Sequence, residues 1–353
     1  MLGVDILNFN KALDNANIIL EKNIETLEIV LVAHVLTPRG YDNPIQKNCS
    51  ETEHFTIQEF NEIYQGIVGA GFFIKKIFFT EFDFLQDITS SYKEYSSTIV
   101  FNLCRNGIGM NKKTLVPAIC DLLSVLYTSS DAGQCALARN KWLFTSILNA
   151  NGVPCPISGL NAKDLTGQLL DSTLVICKPV NESASQGIDG NSIIQLKEAI
   201  TLEKNNCFVQ QYIGGLECEV PIFCTEDQCF AMPPVGISFN NGELTGILSY
   251  ESSMNNAYEF YKLSDILPQT ICTEIMNDAE KTFRLLGLQR YGRVDFRIDR
   301  TTHRHYVMDV STTPYLTMHS SFAFSVEQCK GEYTDIYKLI FAATLEYNRK
   351  LGS

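Results

Sequence analysis

The stretches Arg293-Val294-Asp295-Phe296 and Met308-Asp309-Val310-Ser311-Thr312-Thr313-Pro314 decide how this part of the chain folds. Both alternate polar and apolar residues, a pattern typical of β-strands, and the polar segment between them predicts a hairpin. If the chain turns around Thr302, Asp295 lies opposite Asp309 on the facing strand. Facing carboxylates repel each other, and this repulsion favours a bound cation between them.

The same register places Arg293 opposite Ser311, on the face that carries the two aspartates. The other face is apolar and is expected to point into the core; it carries Val294, Phe296, Met308 and Val310. Oxygen ligands suit Mg²⁺, so the hairpin predicts a magnesium site. The alternative is a surface hairpin whose charges are simply solvated.

A second set of residues upstream fits the same chemistry. The apolar run Val175–Pro179 contains Lys178 and is followed by the loop 181–188, which is rich in small residues. Small residues let backbone N–H groups approach phosphate oxygens, and the lysine adds a positive charge. The motif GxxxxGK[ST] is absent, so the loop is not a Walker A motif. An ordinary strand, turn and strand is the other interpretation.

The order of these features resembles the ATP-grasp enzymes, and within them the D-alanine:D-alanine ligase-like carboxylate-amine ligases. The resemblance spans roughly residues 98–350. It rests on Asn140-Lys141 opening a helix, on the segments VICKP, ESASQGI and FVQQYIGGLE, and on RVDF and MDVSTTPYLTMHSS. It implies an α/β ATP-grasp fold with an ATP site between its central and C-terminal domains. The expected domains are 1–140, with a parallel sheet and an N-terminal helix, 141–213, and 214–353 with the metal-binding hairpin.

The resemblance also assigns roles to single residues. Those implied to contact ATP are Lys141, Lys178, Ser185, Gln186, Gly187, Gln210, Gln211, Tyr212, Ile213 and Glu217. The implied metal ligands are Asp295, Asp309 and Ser311. Residues with an implied catalytic role are Arg293, Ser185 and Tyr315, the last through its backbone N–H. The expected substrate contacts are Ser320, Ser321 and His319.

Several positions depart from the family pattern. Ser311 stands where the family has an asparagine ligand, and Asp309 where it has a glutamate. Tyr315 replaces a glycine, and Ala184 replaces a serine that orients the substrate. The glycine-rich turn after the first strand is missing, and the flap segment 248–254 has no lysine. The nucleotide side is therefore largely kept while the substrate side is changed, which argues against D-alanine as the substrate pair.

Composition predicts a compact enzyme. The chain has 353 residues, 45% of them hydrophobic, enough for two or three domains with real cores. A net charge of −12 argues against nucleic acid or an anionic membrane as the main partner. The 12 cysteines show no regular spacing, so we expect reduced buried thiols and a cytoplasmic setting. No apolar run is long enough to span a membrane, and no signal segment is recognisable.

Local patterns predict the main elements. The first three strands are expected at 29–35, 73–79 and 97–103, and alternation with helices indicates a parallel sheet. Thr56 and Glu59 form a capping-box pattern that opens a helix. Further helices are expected at 268–286 and 334–348, and an amphipathic one within 1–27 that packs on the body or on a partner subunit.

These observations predict a Mg-ATP-dependent ligase that joins a carboxylate to an amine through an acyl phosphate, with Mn²⁺ as a possible substitute for Mg²⁺. An amino acid is expected as one substrate, in specialised metabolism, and the expected assembly is a homodimer. The alternatives are acyl transfer to a thiol or carrier protein, D-alanine:D-alanine ligation proper, and nucleotide binding without turnover.

Overall fold

The structure is a computed structural model, and it describes residues 2–23, 26–35, 53–182, 185, 187–188, 190–202, 207–224, 229–239, 242–248 and 257–348. Gln186, Ala184, most of the rebuilt loop after Val35 and most of the flap segment 248–254 lie outside the described residues.

The first sheet is parallel, as the sequence predicted. Its strands are β1 Glu28–Ala33, β2 Phe73–Phe78, β3 Thr98–Leu103 and β4 Leu126–Tyr127, in the order β2-β1-β3-β4. The helices of this region are α1 Leu2–Glu21, α2 Ile57–Gly69, α3 Glu81–Ser91, α4 Leu115–Leu123 and α5 Ala132–Arg139. The carboxyl ends of its parallel strands share one edge, where open α/β sheets bind ligands.

Helix α2 begins as predicted. The Thr56 hydroxyl accepts from the Glu59 N–H, and the Glu59 carboxylate accepts from the Thr56 N–H, which completes the capping box. Phe60, Ile63 and Ile67 are buried on one side of the helix. Local sequence therefore fixed both the start of this helix and its inward face.

The second sheet is antiparallel, in the order β5-β8-β6-β7. It contains β5 Ser158–Gly159, β6 Leu174–Pro179, β7 Ile193–Gln195 and β8 Cys207–Gln211, with helices α6 Lys141–Ala150 and α7 Leu196–Thr201. The Asn140 side chain caps α6 by accepting from the Leu143 N–H, 3.0 Å away. This cap fixes the position of Lys141 on the first turn.

The third sheet is also antiparallel, in the order β12-β11-β9-β13-β14, with β10 beside β9. Its strands are β9 Leu216–Cys224, β10 Cys229–Ala231, β11 Val235–Phe239, β12 Tyr258–Lys262, β13 Arg290–Ile298 and β14 His305–Ser311. Helices α8 Gln269–Leu285, α9 Ser321–Gln328 and α10 Asp335–Asn348 complete this region. The predicted boundaries between three domains, at 140 and 213, stay a prediction.

The hairpin β13–β14 has the predicted register near the site but not near the turn. Asp295 pairs with Asp309, whereas Phe296 pairs with Val307, because a bulge shifts the register by one residue. The prediction that Met308 lies in the core is therefore wrong: Val307 is fully buried there, and Met308 lines a cavity instead.

The N-terminal helix packs on the body of the protein. Phe9, Ala16 and Leu20 of α1 are buried in one core with strand residues of the first sheet and with Ile336 and Ile340 of α10. The core of the first sheet therefore includes residues from both ends of the described chain.

The cysteines differ from the prediction at one place. Cys224 and Cys229 form a disulfide between β9 and β10, whereas all cysteines were expected to be reduced. Pairing of these two strands brings the side chains together, and the spacing alone did not show it. Nine other described cysteines are free thiols. Among the described helices, none has the length and apolar character needed to cross a bilayer.

Candidate active site

A cavity of about 580 Å³ lies where the three sheets approach one another. The predicted site residues that line it are Lys141, Lys178, Ser185, Tyr212, Glu217, Arg293, Asp295, Asp309, Ser311, Tyr315 and His319. The structure thus brings together residues that are up to 178 positions apart in the sequence, from Lys141 to His319.

A row of three acids crosses the floor of the cavity on adjacent strands. Asp295 of β13 pairs in register with Glu219 of β9 on one side and with Asp309 of β14 on the other. Arg293 holds two of them: its guanidinium donates to both Asp295 oxygens, at 2.7 and 2.9 Å, and lies 2.9 Å from Glu219 Oε2. Bidentate pairing of this kind fixes the orientation of both side chains.

The two neighbouring acids raise the proton affinity of Asp295. Burial raises the pKa of Asp295 to about 7, with Glu219 and Asp309 adding to the rise and Arg293 opposing it. Such a cluster gains stability from an additional cation. The available donors are all oxygens, including the hydroxyl of Ser311, and this donor set fits a divalent ion of the Mg²⁺ type.

As the side chains stand, no three His, Cys, Asp or Glu groups in the described ranges are close enough to hold a metal. Both oxygens of Asp295 are engaged by Arg293. A bound ion would therefore compete with Arg293 for Asp295.

Two lysines face the acids from the second sheet region, and both are buried. Burial lowers the pKa of Lys141, and burial together with the neighbouring Lys141 charge lowers the pKa of Lys178 to about 8. Lys141 Nζ donates to the Glu182 carbonyl oxygen and lies 3.9 Å from Asp309. Lys178 Nζ donates to Gln210 Oε1 at 3.2 Å. An anion bound between the two lysines would stabilise both charges.

Glu217 lies two residues before Glu219 on β9, and its side chain is therefore on the same face of the sheet. Its carboxylate accepts from Arg297, which also donates to the Ile213 carbonyl at 2.6 Å and lies 5.1 Å from the Tyr212 ring centroid. Burial raises the pKa of Glu217, with Arg297 and Lys178 opposing the rise. The segment that the resemblance assigns to the adenine is thus held by Arg297.

The loop residues lie at different depths. Ser185 has φ 55° and donates to the Leu248 carbonyl at 2.5 Å, so the loop contacts the start of the flap segment. Gly187 has φ 72°, in the left-handed region that favours glycine. Gln210 is fully buried and is not on the cavity wall, nor are Gly187, Gln211 and Ile213.

On the expected substrate side, only some residues reach the cavity. Tyr315 lies on the wall, where its ring packs on Arg105 at 4.3 Å. His319 also lines the cavity and packs against Tyr258 and Phe260, each at 5.3 Å between ring centroids.

The two predicted substrate serines are placed elsewhere. Ser320 is the N-cap of α9: its hydroxyl accepts from the Ala323 N–H and donates to the Thr317 carbonyl. Ser321 is 1% exposed, inside the first turn of the helix. Neither hydroxyl is on the cavity wall.

The structure adds residues that the sequence analysis missed. Glu219 and Arg297 complete the charged floor, and Arg105, Lys113 and Arg139 line the cavity beside Tyr315. The spacing of Glu217 and Glu219 on an otherwise apolar strand was a usable signal, because residues two apart share a face. Arg105 follows β3 at the carboxyl end of a parallel strand, a usual place for ligand contacts, whereas nothing local shows that Lys113 reaches this cavity.

Comparison with known proteins gives consistent results. Residues 170–341 match the family model described as the D-ala D-ala ligase C-terminus. An uncharacterised protein of Sinorhizobium fredii is 24% identical over 68% of this chain and 73% of its own length. A D-alanine–D-alanine ligase of Carboxydothermus hydrogenoformans is 21% identical over 85% of this chain and 97% of its own length.

Solved structures agree on the fold. The crystal structure of the D-alanine–D-alanine ligase from Bacillus anthracis complexed with ATP superposes with a TM-score of 0.66 at 18% identity, covering 92% of this chain and 99% of that one. The fold is that of the ATP-grasp proteins. The family model and the curated relatives support a resemblance to the D-alanine–D-alanine ligases, and these relatives and structural neighbours indicate an ATP-dependent enzyme that forms C–N bonds.

Proposed function

We propose that this protein is a Mg-ATP-dependent ligase that joins a carboxylate to an amine through an acyl phosphate. The observation that carries the proposal is the pair of buried lysines, Lys141 and Lys178, facing the acid row Glu219, Asp295 and Asp309 across one cavity. Opposite charges in this arrangement suit a nucleotide triphosphate with a divalent ion.

The lysines would hold the phosphates. Their buried ammonium groups lack a carboxylate within 3.5 Å among the described residues, which is unfavourable without an anion. The polyphosphate would supply that anion. Glu217, held by Arg297, would accept hydrogen bonds from the ribose hydroxyls beside Tyr212.

Asp295 and Asp309, with Ser311 and the newly found Glu219 nearby, would hold the divalent ion. When bound, the ion neutralises phosphate charge and increases the electrophilicity of the γ-phosphorus. Ser311 is a neutral and short ligand, so the affinity for the ion should be lower than with a longer side chain.

In the first step a substrate carboxylate oxygen attacks the γ-phosphorus, which forms an acyl phosphate and releases ADP. In the second step the amine nitrogen attacks the carbonyl carbon, loses a proton, and expels inorganic phosphate to leave the amide. Arg293, which lines the cavity, would stabilise the negative charge that develops on the acyl oxygen, together with the N–H of Tyr315.

The substrate side supports a reaction other than D-alanine ligation. Tyr315, which stands where the family pattern has a glycine, lines the cavity and packs on Arg105. We therefore propose an amino acid substrate in specialised metabolism, in the cytoplasm, with the homodimer still a prediction. Fold alone does not fix the substrate, since changed contacts redirect the same chemistry.

The proposal is tested by phosphate release from ATP and Mg²⁺ against a panel of amino acids and acids, with product masses measured. An amide product supports it; a thioester on added carrier protein, or binding of ATP without any release, contradicts it.

Asp295→Asn is expected to abolish turnover while far-UV circular dichroism stays unchanged, because it removes one charge from the cavity floor. Asp265→Asn, an exposed acid outside the cavity, is the matched control and should retain activity. Full activity of a folded Asp295→Asn enzyme would show that the acid row does not serve the reaction.

A further inference from the structure

The cavity carries a second group of cations at the carboxyl end of β3, beside Tyr315. Arg105 and Lys113 line the cavity there and are buried, at 4% and 8% exposure. Lys112 and Arg139 lie next to them. Two acids, Glu53 and Glu182, contact this group, and each of them pairs with both Lys112 and Arg139.

The two acids are engaged by Lys112 and Arg139. Glu53 lies 2.6 Å from Arg139, and Glu182 lies 2.5 Å from Lys112. Arg139, Lys113 and Lys112 outweigh the effect of burial and lower the pKa of Glu53 to about 2. Both acids are therefore paired with Lys112 and Arg139, and Arg105 and Lys113 remain without an acid in contact.

Lys113 has no acid in contact. Across the described ranges, its ammonium makes no hydrogen bond or ion pair. Burial and the charges of Arg105 and Arg139 lower the pKa of Lys113 to about 7, and the charge of Glu53 opposes this shift only in part. A buried lysine held among like charges is unstable unless an anion joins it.

Arg105 is held by two aromatic rings and a backbone carbonyl, and its Nε is without a partner among the described residues. Its guanidinium carbon lies 4.5 Å from the Phe55 ring centroid and 4.3 Å from that of Tyr315. The Nη2 group donates to the Thr313 carbonyl at 3.1 Å, and the buried Nε has no hydrogen-bond partner among the described residues. With rings against it, the guanidinium can bind an anion only in its own plane, which suits a planar carboxylate.

The surrounding acids do not fill this role. Two other acids on the cavity wall accept backbone hydrogen bonds: Glu59 from the Thr56 N–H and Glu62 from the Met318 N–H. Thr313, which holds Arg105, follows the ligand position Ser311 by two residues, at most about 7 Å along the chain. The surplus cations therefore adjoin the place where the reacting carboxylate is proposed to lie.

We propose that Arg105 and Lys113 bind a second carboxylate of the substrate, so that the ligase acts on a short dicarboxylic acid or an acidic amino acid. This inference rests on the proposed function for the reacting carboxylate. The subsite itself is defined by the unpaired Lys113 ammonium and the free Nε edge of Arg105.

Direct binding tests the subsite without turnover. Calorimetric titration of the protein with Mg²⁺ and a non-hydrolysable ATP analogue would compare chains of equal length: malonate with propionate, succinate with butyrate, and glutarate with valerate. At least one dicarboxylate is expected to bind about tenfold or more tightly than its partner, because a charge-assisted hydrogen bond is lost with each monoacid.

Two variants locate the effect. Arg105→Lys keeps the charge but removes the planar fork, and Lys113→Met removes the ammonium with little change in length. Each is expected to reduce the preference for the dicarboxylate about tenfold or more, while the affinity for the nucleotide analogue stays within about twofold. Arg284→Gln, an exposed arginine outside the cavity, is the charge-matched control and should change neither affinity.

Several results would overturn the proposal. The first is equal affinity for the dicarboxylate and the monocarboxylate in every pair. The second is binding of inorganic phosphate as tightly as the dicarboxylate. The third is loss of nucleotide affinity in both variants, which would assign the cations to ATP. The subsite and the reaction fail separately: dicarboxylate binding without any phosphate release contradicts the ligase function alone, whereas phosphate release with monoacids only contradicts the subsite.

Discussion

Lys178 shows how a single residue can be unfavourable in the free protein and useful for binding. Its pKa is lowered to about 8, mainly by burial. Below this pH the folded protein carries a buried charge that the unfolded chain holds in water. The unfavourable contribution is complete at neutral pH and disappears as the pH rises from about 8 toward the ordinary lysine value of 10.5.

Lys178→Met should therefore raise the stability of the ligand-free protein at pH 7, by an amount on the order of 3 kcal/mol or less. It should also remove the stabilisation that Mg-ATP gives to the wild type. Thermal unfolding with and without Mg-ATP measures both effects. A variant that still gains stability from Mg-ATP as the wild type does would exclude Lys178 from the phosphate site.

Ser311 is the second residue with a distinct expectation. If its hydroxyl is a weakened metal ligand, Ser311→Asn should keep activity and lower the Mg²⁺ concentration needed for half-maximal rate. The side chain is half-buried and lines the cavity, so the larger amide would extend toward the cavity. Activity as a function of Mg²⁺ concentration is the measurement. Complete loss in a folded variant would mean that the position contacts the substrate.

The charged floor was only partly predictable from single residues. Strand alternation and one hairpin register were enough to pair Arg293, Asp295 and Asp309, because both partners are close in sequence. Glu219 belongs to the same row through pairing of β9 with β13, which joins residues 76 positions apart. No local pattern encodes such a pairing, and so the third acid was missed.

At the scale of elements, the hairpin bulge accounts for the error at Met308. One extra residue on β14 reverses the face of the residues on the turn side of Asp309 and leaves those near the site unchanged. The helices were predicted more accurately: α2 begins at its capping box, and α8 ends before Gly287, which has φ 64°. Caps are encoded locally, whereas a bulge depends on the neighbouring strand.

Helix α9 gives a test of Ser320. Because its hydroxyl caps the helix, Ser320→Ala should lower the free energy of unfolding by about 1 kcal/mol, whereas Ser320→Gly should lower it by only a few tenths. Denaturant unfolding measures the difference. Enzyme kinetics separate the two roles. If the Ser320 hydroxyl binds the substrate, its loss raises the KM for the acceptor equally in both variants. If the hydroxyl only caps the helix, the KM for the acceptor stays unchanged.

For the whole molecule, the sequence predicted an ATP-grasp enzyme whose nucleotide side is kept and whose substrate side is rebuilt. The fold confirms the ATP-grasp part of that prediction, and the rebuilt substrate side stays a prediction. The arrangement at the end of β3 did not follow from the sequence, since Arg105 meets Thr313 across 208 positions.

The whole-molecule expectation is that D-alanine, alone or paired with itself, gives little or no dipeptide. A site built to hydrogen-bond one substrate discriminates against others on the order of 10⁴-fold. Mass spectrometry of products from the purified protein with Mg-ATP and D-alanine is the measurement. Efficient formation of D-alanyl-D-alanine would contradict this prediction and would indicate a D-alanine–D-alanine ligase of cell-wall synthesis.

The packing of α10 against the first sheet sets the order in which the chain can mature during translation. Strands β1 to β3 emerge from the ribosome more than 200 residues before Ile336 and Ile340, which complete their core. Until then the nascent chain exposes Ile29, Leu31 and Phe101 on that side. We therefore expect the first sheet to become protease-resistant only after α10 has been synthesised.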